Sequence, residues 1–372
     1  MRPASDVERR RLNDTFAELC RIRSVSGEEA AVARRISDEL RGVGVEVAEP
    51  DEAGNVLARI GHGRERSLLL CAHMDTVPHE GSVEPVCVEG GWVSAGDTIL
   101  GADNKAAVAV LLEVARRAAI ESAPVDLELL FTVGEELALA GAKAFDVGRL
   151  RSPLGFVFDH ATPIGEVIVA SPTYYRLEAS FHGAAAHAGI RPEQGRSAIQ
   201  AAAAAIASMR LGRLDEETTA NVGAIEGGVP GTTNIVPERA SFVAEARSLD
   251  GAKVEAVVAE MVDRVHDAAN DPRHACDVDV VVEKLFTGYR HRPSAPGVLA
   301  GEAALRACGH EPARVASGGG SDANAFEAAG LHCVNLANGT ERAHQSDERV
   351  GVASLEAMLD VAYALLDEVA AG

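Results

Sequence analysis

The stretch SLLLCAHMDTVP, residues 67–78, decides the fold class of the first half of the chain. Its first six residues form a continuous apolar run, which is typical of a β-strand buried on both faces. His73 and Asp75 follow where this strand should end. Residues two apart in an extended chain point to the same side, so Asp75 can fix one ring nitrogen of His73 and leave the other for a metal. A histidine with satisfied hydrogen bonds at a strand end is the equally weighted alternative.

The segments around this stretch alternate between helix and strand patterns. Residues 26–29 have capping-box spacing and predict a helix that runs to about Arg41. The further predicted elements are a helix over 106–119, a strand over 125–133, a short helix over 137–145 and a strand over 156–158. Strands that alternate with helices predict an α/β fold with a mostly parallel sheet.

The pattern changes near Ser171. The segments that follow predict two helices, over 197–210 and 252–270, and about four strands, over 175–182, 221–225, 241–247 and 278–286. From about residue 297 the helix–strand–helix pattern returns. We therefore predict a discontinuous catalytic domain, residues 1–171 and 293–372, with an inserted α+β domain at 172–292, because insertion at surface loops is tolerated.

Composition excludes several classes of function. The 372 residues include 35 Lys and Arg against 56 Asp and Glu, which gives a formal charge of −21. Such a field repels phosphate, so we expect no nucleic-acid or membrane partner, whereas cations are permitted. Six scattered cysteines indicate reduced thiols. The first 23 residues carry charges throughout, so we expect no signal peptide and a cytoplasmic location.

Further polar residues follow the other predicted strands. They are Asp103 in GADNK, Glu135 and Glu136 in GEE, Asp159 in FDH and His344 in AHQS. Singly, each has an ordinary alternative: Asp103 as a helix N-cap, and the two glutamates as a solvated turn. Together they would meet at the carboxyl edge of the sheet. Mixed histidine and carboxylate ligands suit zinc, with cobalt or manganese as substitutes, and five ligands with one shared carboxylate can hold two metals.

Taken in order, the motifs HMDTVP, GADNKAA, GEE, FDH and AHQSDE resemble the M20 family of zinc peptidases and amidohydrolases. The predicted inserted domain resembles the peptidase T-like branch more closely. Its resembling segments are HGAAAHAG (182–189), PEQG (192–195), NIVP (234–237) and EARSLD (245–250). The resemblance covers nearly the whole chain.

This resemblance implies a role for each candidate at the strand ends. Asp103 would bridge two metals. His73 and Asp159 would complete one metal site, and Glu136 and His344 the other. Asp75 would orient His73. Glu135 would be the general base that activates a bridging water and passes the proton to the leaving amine.

The resemblance also implies roles for three residues of the inserted domain. His187 would support the developing oxyanion across a homodimer interface. Arg247 and Asn234 would hold the carboxylate of the substrate, a task that suits a guanidinium fork. From the residues alone, His187 is more simply a turn histidine and Arg247 a surface ion-pair partner.

A glycine-rich loop, SGGGSDAN at 317–324, precedes another predicted helix. No P-loop lysine follows, so phosphate binding is disfavoured. The resemblance places this loop beside the substrate pocket, and helix capping is the ordinary role for Asp322.

The resulting prediction is a di-zinc exopeptidase, similar to the aminotripeptidase peptidase T, that cleaves short peptides. An N-acyl amino acid deacylase or a carboxypeptidase of the same family is the alternative, because these enzymes share the metal ligands. An inactive relative that acts as a binding protein is disfavoured, since no ligand is missing and Glu135 is present.

Overall fold

Residues 2–372 are described here from a computed structural model. They form two compact units: unit 1 contains the chain up to Ser171 together with Arg290–Gly372, and unit 2 contains Pro172–Tyr289.

The helices and strands are numbered along the chain. The helices are α1 (Asp6–Arg21), α2 (Ala30–Gly42), α3 (Ala102–Glu121), α4 (Ala140–Ala144), α5 (Ala198–Ser208), α6 (Gly251–Asn270), α7 (Pro296–Ala307), α8 (Asp322–Ala328) and α9 (Val352–Ala371). The strands of the first half are β1 (Glu46–Val47), β2 (Val56–Ile60), β3 (Ser67–His73), β4 (Pro85–Val88), β5 (Gly91–Ser94), β6 (Asp126–Thr132), β7 (Leu154–His160), β8 (Glu166–Ser171) and β9 (Thr173–His182). Those of the second half are β10 (Gly212–Arg213), β11 (Thr218–Gly227), β12 (Arg239–Ser248), β13 (Asp277–Phe286), β14 (Tyr289–Arg290), β15 (Ala313–Ala316), β16 (His332–Ala337), β17 (Thr340–Glu341) and β18 (Arg349–Gly351).

The main sheet of unit 1 has the strand order β1-β2-β6-β3-β7-β16-β8-β14, with β15 paired to β8. Its central strands β6, β3, β7 and β16 run parallel. Antiparallel pairs flank them, β1 with β2 and β2 with β6 on one side and β16 with β8 on the other. The predicted mostly parallel α/β sheet is confirmed for this centre, whose strands end at one shared edge.

Helix α3 forms the middle of the unit 1 core. Most of its residues are buried, as expected of a helix that is apolar on nearly all sides. It packs against β3, α1 and α9. It begins four residues before the predicted start, and its first turn contains Asp103. A residue with left-handed backbone, Gly101, precedes it, so Asp103 is not the N-cap.

Helix α1 was not predicted. Ser5 and Glu8 form a capping box at its start. Leu12, Phe16 and Leu19 then bury one face of the helix at helical spacing. A four-stranded sheet of order β17-β18-β5-β4, also absent from the sequence prediction, carries the loop that contains His344.

The predicted capping box at residues 26–29 is wrong. Helix α2 begins at Ala30, and its N-cap Glu29 makes no capping bond through its side chain. The Ser26 hydroxyl instead donates to Asp75 Oδ2 at 2.7 Å. The short helix predicted over 137–145 is also shorter than expected, because Leu139 has left-handed backbone and α4 starts only after it.

Unit 2 is an antiparallel sheet with the order β10-β11-β12-β9-β13 and two helices, α5 and α6. Alternate residues of β9 and β12 are buried against these helices, among them Leu177, Phe181 and Phe242. The residues between them lie on the opposite face, which we call the open face. The α+β prediction for the inserted segment is confirmed, with five strands instead of about four.

Among residues 2–372, every helix is too short or too polar to span a lipid bilayer.

Candidate active site

The ends of three parallel strands bring the predicted ligands of unit 1 together. Strand β3 ends at His73, β7 carries Asp159 next to its end, and Glu135 and Glu136 follow β6. His344 arrives from the loop between β17 and β18. Strand ends at the edge of a parallel sheet are the usual place for a binding site.

Asp103 lies at the centre of this cluster. Its Oδ1 is 3.4 Å from His73 Nε2, and its Oδ2 is 3.5 Å from His344 Nε2. Asp159 Oδ1 lies 3.4 Å from the same nitrogen of His73. Glu136 Oε1 lies 2.7 Å from the same nitrogen of His344. The two oxygens of Asp103 therefore face two different pairs of side chains.

The chemistry of the cluster fits divalent metal ions. Its potential ligand atoms fall into three groups, each within 4.8 Å: His73, Asp103 and Asp159; His73, Glu135 and Glu136; and Asp103, Glu136 and His344. Asp103 Oδ1 is buried and forms no hydrogen bond with the described residues, an arrangement that a cation would satisfy. Imidazole nitrogens and carboxylate oxygens are the donors that zinc and similar metals take.

Asp75 connects His73 to the turn that carries the two glutamates. His73 Nδ1 lies 3.1 Å from the Asp75 carbonyl oxygen and 3.3 Å from Asp75 Oδ1. The same oxygen accepts a hydrogen bond from the Glu135 N–H at 3.0 Å, and Oδ2 accepts one from the Glu136 N–H at 3.1 Å. Burial acts to raise the pKa of Asp75, but the bonds from His73 and Ser26 hold it below its usual value. Asp75 thus fixes the ring of His73 and the backbone of both glutamates.

Glu135 has an environment suited to accepting a proton. Burial, together with the nearby charge of Asp159, raises the pKa of Glu135 well above its ordinary value. Burial likewise raises the pKa of Asp159 to about 7. Glu29, at the start of α2, accepts a hydrogen bond from the Gly134 N–H at 3.0 Å and so holds the turn before Glu135.

The two candidate histidine ligands hold protons tightly when no metal competes for them. Burial acts to lower the pKa of His73, but Asp159, Asp103 and Asp75 raise it well above its ordinary value. Hydrogen bonds to Asp103 and Glu136 raise the pKa of His344 to about 10. A metal that binds here must therefore displace protons.

Glu348 was missed by the sequence analysis, although it lies within the AHQSDE motif. Its side chain is 1% exposed and accepts three backbone N–H bonds, from Leu100 at 2.9 Å, Gly101 at 2.7 Å and Asp103 at 2.9 Å. Burial raises the pKa of Glu348 to about 7. This carboxylate ties the loop that carries His344 to the loop that carries Asp103.

Asp322 does not cap helix α8. The N-cap is Ser321, which forms a capping box with Asn324. The buried Asp322 instead accepts hydrogen bonds from the Thr132 hydroxyl at 2.5 Å and from the Cys71 thiol at 3.7 Å. Its burial raises the pKa of the Asp322 carboxyl to about 6. Asp322 thus links β3 and β6 just beneath their carboxyl ends.

In unit 2, His187 and Asn234 lie on two exposed loops that pair with each other. The Ala188 N–H donates to the Asn234 carbonyl at 2.9 Å, and His187 forms a β-bridge with Ile235. His187 Nδ1 accepts a hydrogen bond from the Gly189 N–H at 3.2 Å. The structure therefore brings these two predicted residues together at one end of the unit 2 sheet.

Arg247 lies elsewhere, on the open face near the other end of the sheet. Its Nη2 donates to Glu245 Oε2 at 2.9 Å, and its guanidinium carbon lies 4.1 Å from the centre of the Tyr174 ring. In the pairing of β12 with β9, Arg247 lies opposite Tyr174. Arg239, eight residues earlier on β12, lies opposite His182, the last residue of β9 before the His187 loop. The point where the His187 loop leaves β9 is thus roughly 26 Å from Arg247 along the strand.

Two family models match the chain. The peptidase dimerisation domain of the M20 family matches residues 173–272, which lie within unit 2. The model of peptidase family M28 matches residues 55–159, which include six of the candidates: His73, Asp75, Asp103, Glu135, Glu136 and Asp159.

Three relatives match nearly full length. The uncharacterised protein YqjE of Bacillus subtilis is 37% identical over 98% of this chain and 100% of its own. The crystal structure of aminopeptidase PepT from Bacillus cereus has a TM-score of 0.86 at 37% identity, covering 97% of this chain and 99% of that one. A tripeptidase from Staphylococcus aureus has a TM-score of 0.91 at 33% identity, covering 98% and 99%.

A sheet with a parallel centre, whose strand ends gather imidazoles and carboxylates around one central carboxylate, is an arrangement suited to a metal-dependent hydrolase. Together with these matches, it shows that the chain belongs to the M20 family of metallopeptidases, on its peptidase T-like branch. The family and the peptide-hydrolase class predicted from the sequence are confirmed.

Proposed function

We propose that this enzyme is a two-metal exopeptidase that cleaves short peptides, with tripeptides as its preferred substrates. One observation carries the proposal: the two oxygens of Asp103 face different ligand pairs, as a carboxylate shared by two cations must. The similarity to an aminopeptidase and a tripeptidase over nearly the whole chain supports the choice of substrate.

His73 and Asp159 would hold one metal and Glu136 and His344 the other, with Asp103 between them. The donor set supports zinc as the physiological metal, with cobalt or manganese able to replace it. Bound there, the metals supply Lewis acidity, which activates water and polarises a carbonyl group.

The proposed task of Glu135 is proton transfer. It takes a proton from the attacking water and delivers it to the leaving amine. Its backbone N–H is fixed by Asp75 and the preceding turn by Glu29, which supports a preorganised side chain. Glu135 also belongs to one of the potential ligand groups, so the alternative role is direct metal binding.

The separation of Arg247 from His187 supports a homodimer. If both residues act on one short peptide, a loop that starts roughly 26 Å from Arg247 along the strand favours a His187 that comes from a partner chain. Asn234 is paired with the His187 loop and would come from the same chain as His187. Arg247 would then bind the carboxylate of a substrate that the partner's loop covers.

Apolar side chains around the His187 loop support the same conclusion. Ile190, Val229 and Ile235 are 70%, 64% and 48% exposed. Exposed apolar residues that cluster at one end of a unit mark a contact surface. The predicted domain limits, a catalytic domain of 1–171 and 293–372 with a dimerisation domain of 172–292, belong to this proposal, as does a cytoplasmic location, which the six free thiols support.

The test is hydrolysis of a substrate panel by the zinc-loaded homogeneous protein. The panel contains dipeptides, tripeptides, their N-acetylated forms and N-acetyl amino acids. We expect chelator-sensitive cleavage of free tripeptides above all other members. Chelated protein and the Glu135→Gln variant serve as controls, the latter because it keeps every proposed ligand.

Cleavage of only the acetylated compounds would overturn the proposed substrate and assign the protein to the deacylases. Cleavage of tripeptides that persists in the chelated protein would overturn the metal-dependent mechanism.

A further inference from the structure

Three side chains form a row across the open face of unit 2. Strand pairing sets Arg247 of β12 opposite Tyr174 of β9, and Tyr174 opposite Phe286 of β13. The guanidinium carbon of Arg247 lies 4.1 Å from the centre of the Tyr174 ring. The rings of Tyr174 and Phe286 meet edge to face, with centres 5.3 Å apart. Phe286 is buried, so its contact restrains the ring of Tyr174, which in turn contacts Arg247.

Glu245 constrains the same guanidinium from a second direction. It lies two residues before Arg247 on β12, hence on the same face, and accepts the bond from Arg247 Nη2. The side chains of Arg247 and Glu245 are 26% and 30% exposed, so the pair remains accessible to a ligand.

We propose that Tyr174 is a positioning and specificity-determining residue, which holds the Arg247 guanidinium in place for the C-terminal carboxylate of the substrate. The inference rests on the proposed function of Arg247 and deepens it. It would give an enzyme that cleaves short peptides a way to distinguish a substrate with a free C-terminal carboxylate from one whose C-terminus is an amide.

The argument is one of preorganisation. An arginine side chain has many rotamers, and ordering them on binding opposes association. A guanidinium carries its five N–H donors around its edge. An aromatic ring beneath its face can therefore restrain it without competing for those donors. The stack orders Arg247 when the protein folds, so that less conformational freedom is lost when the carboxylate binds.

The test compares a free-acid tripeptide with its C-terminal amide. In Tyr174→Leu, which keeps apolar contact with Phe286 but removes the ring face, we expect KM for the acid to rise about tenfold. We expect kcat for the acid to stay within about twofold, since Tyr174 does not touch the reacting atoms, and KM for the amide to be unchanged. Tyr174→Phe keeps the ring but removes the hydroxyl, which also interacts with Glu245 and Arg247, so it should return KM most of the way to the wild-type value.

Tyr175 supplies a matched control. It is the next residue of β9, on the opposite face, where its ring lies 5.2 Å from Lys284 Nζ. Tyr175→Leu should leave the ratio of KM values for acid and amide unchanged. Tyr174→Met, measured beside Tyr174→Leu with melting temperatures for both, provides a second ring-free variant in case one of them folds poorly.

The Arg247→Ala variant distinguishes a failure of the role inferred for Tyr174 from a failure of the role proposed for Arg247. If this variant keeps the wild-type preference for the acid, Arg247 does not bind the carboxylate and the proposed function of Arg247 is wrong. If Arg247→Ala loses the preference while folded Tyr174→Leu or Tyr174→Met keeps it, Tyr174 is not a specificity residue and the inference is overturned.

Discussion

Most candidate residues of unit 1 lie buried or half-buried near the ends of parallel strands, and only His344 is exposed. Those of unit 2 lie on exposed loops and, for the half-buried Arg247, on the open face of an antiparallel sheet. In unit 1, Asp75, Glu348 and Asp322 hold the cluster through bonds that connect separate loops and strands. In unit 2, His187 and Asn234 are fixed mainly through backbone contacts between two loops. The candidate metal ligands all lie within unit 1, whereas the proposed roles of His187 and Asn234 require a partner chain.

This difference predicts different consequences of substitution. Changes in unit 1 should alter metal binding or proton transfer within the same chain. Changes at His187 and Asn234 should leave metal binding intact and should be rescued by a second chain, because the proposed roles of these residues are exerted on the partner's substrate.

The largest expected effect is that of Glu135→Gln. The substitution removes the proposed base but keeps its size, so kcat should fall roughly 10³-fold while two metals stay bound. Steady-state kinetics and elemental analysis of the same preparation measure both quantities. Loss of a metal from this variant would instead make Glu135 a ligand.

His187→Ala should lower kcat by about 10²-fold with both metals retained, since it removes a donor to the developing oxyanion. An equimolar mixture of this variant with Glu135→Gln tests whether His187 acts on the site of the partner chain. Random exchange of subunits places both defects in one site of each hybrid dimer and leaves the other site intact, so about a quarter of wild-type activity should return. A mixture that stays as inactive as its components would refute action across the interface.

Glu348→Gln should weaken metal binding about tenfold, because an amide nitrogen cannot accept the backbone N–H bonds that hold the Asp103 loop. Titration with zinc in a competing chelator measures the affinity. Asp347→Asn is the matched control, since the side chain of Asp347 is 59% exposed and pairs only with Arg342 among the described residues. Equal affinities for the two variants would assign Glu348 no part in the metal site.

The smallest effect is expected far from both sites, at Glu8. Burial acts to raise the pKa of Glu8, but bonds from Arg117 and Arg2 hold it below its usual value. Its charge therefore stabilises the fold above the unfolded pKa of about 4.3, and the contribution is lost as pH falls toward the lower folded pKa.

Glu8→Gln should accordingly lower the free energy of unfolding by about 2 kcal/mol at pH 7, with a smaller difference below about pH 4. Denaturant unfolding at both pH values measures this. Glu121→Gln, which removes the exposed partner of Arg2, should change little. A Glu8 effect that does not depend on pH would contradict the ion-pair explanation.

The sequence was sufficient to predict the part of the cluster that follows apolar strands directly, whereas Asp103 lies in the first turn of α3 and His344 on the loop between β17 and β18. The proximity of His73, at the end of β3, and Asp159, near the end of β7, follows from the rule that neighbouring parallel strands end at the same edge of a sheet. The helical spacing of Leu12, Phe16 and Leu19 was also present in the sequence, so α1 could have been predicted.

The rest depends on contacts between distant segments. Glu348 accepts a hydrogen bond from the backbone N–H of Asp103, which is 245 residues away in the sequence. No local sequence pattern predicts this contact. At Ser26 the local pattern misleads, because a hydrogen bond to Asp75 replaces the expected helix cap. The stack of Arg247 on Tyr174 follows from strand register, which alternation alone does not fix.

The most direct test of the central claim is the number of metals that each chain binds, measured by elemental analysis after zinc loading and removal of free metal. The shared position of Asp103 predicts two per chain in the wild type, close to none in Asp103→Ala and one in Glu136→Ala. Two metals retained in Asp103→Ala would contradict a bridging carboxylate, as would a wild-type chain that binds only one.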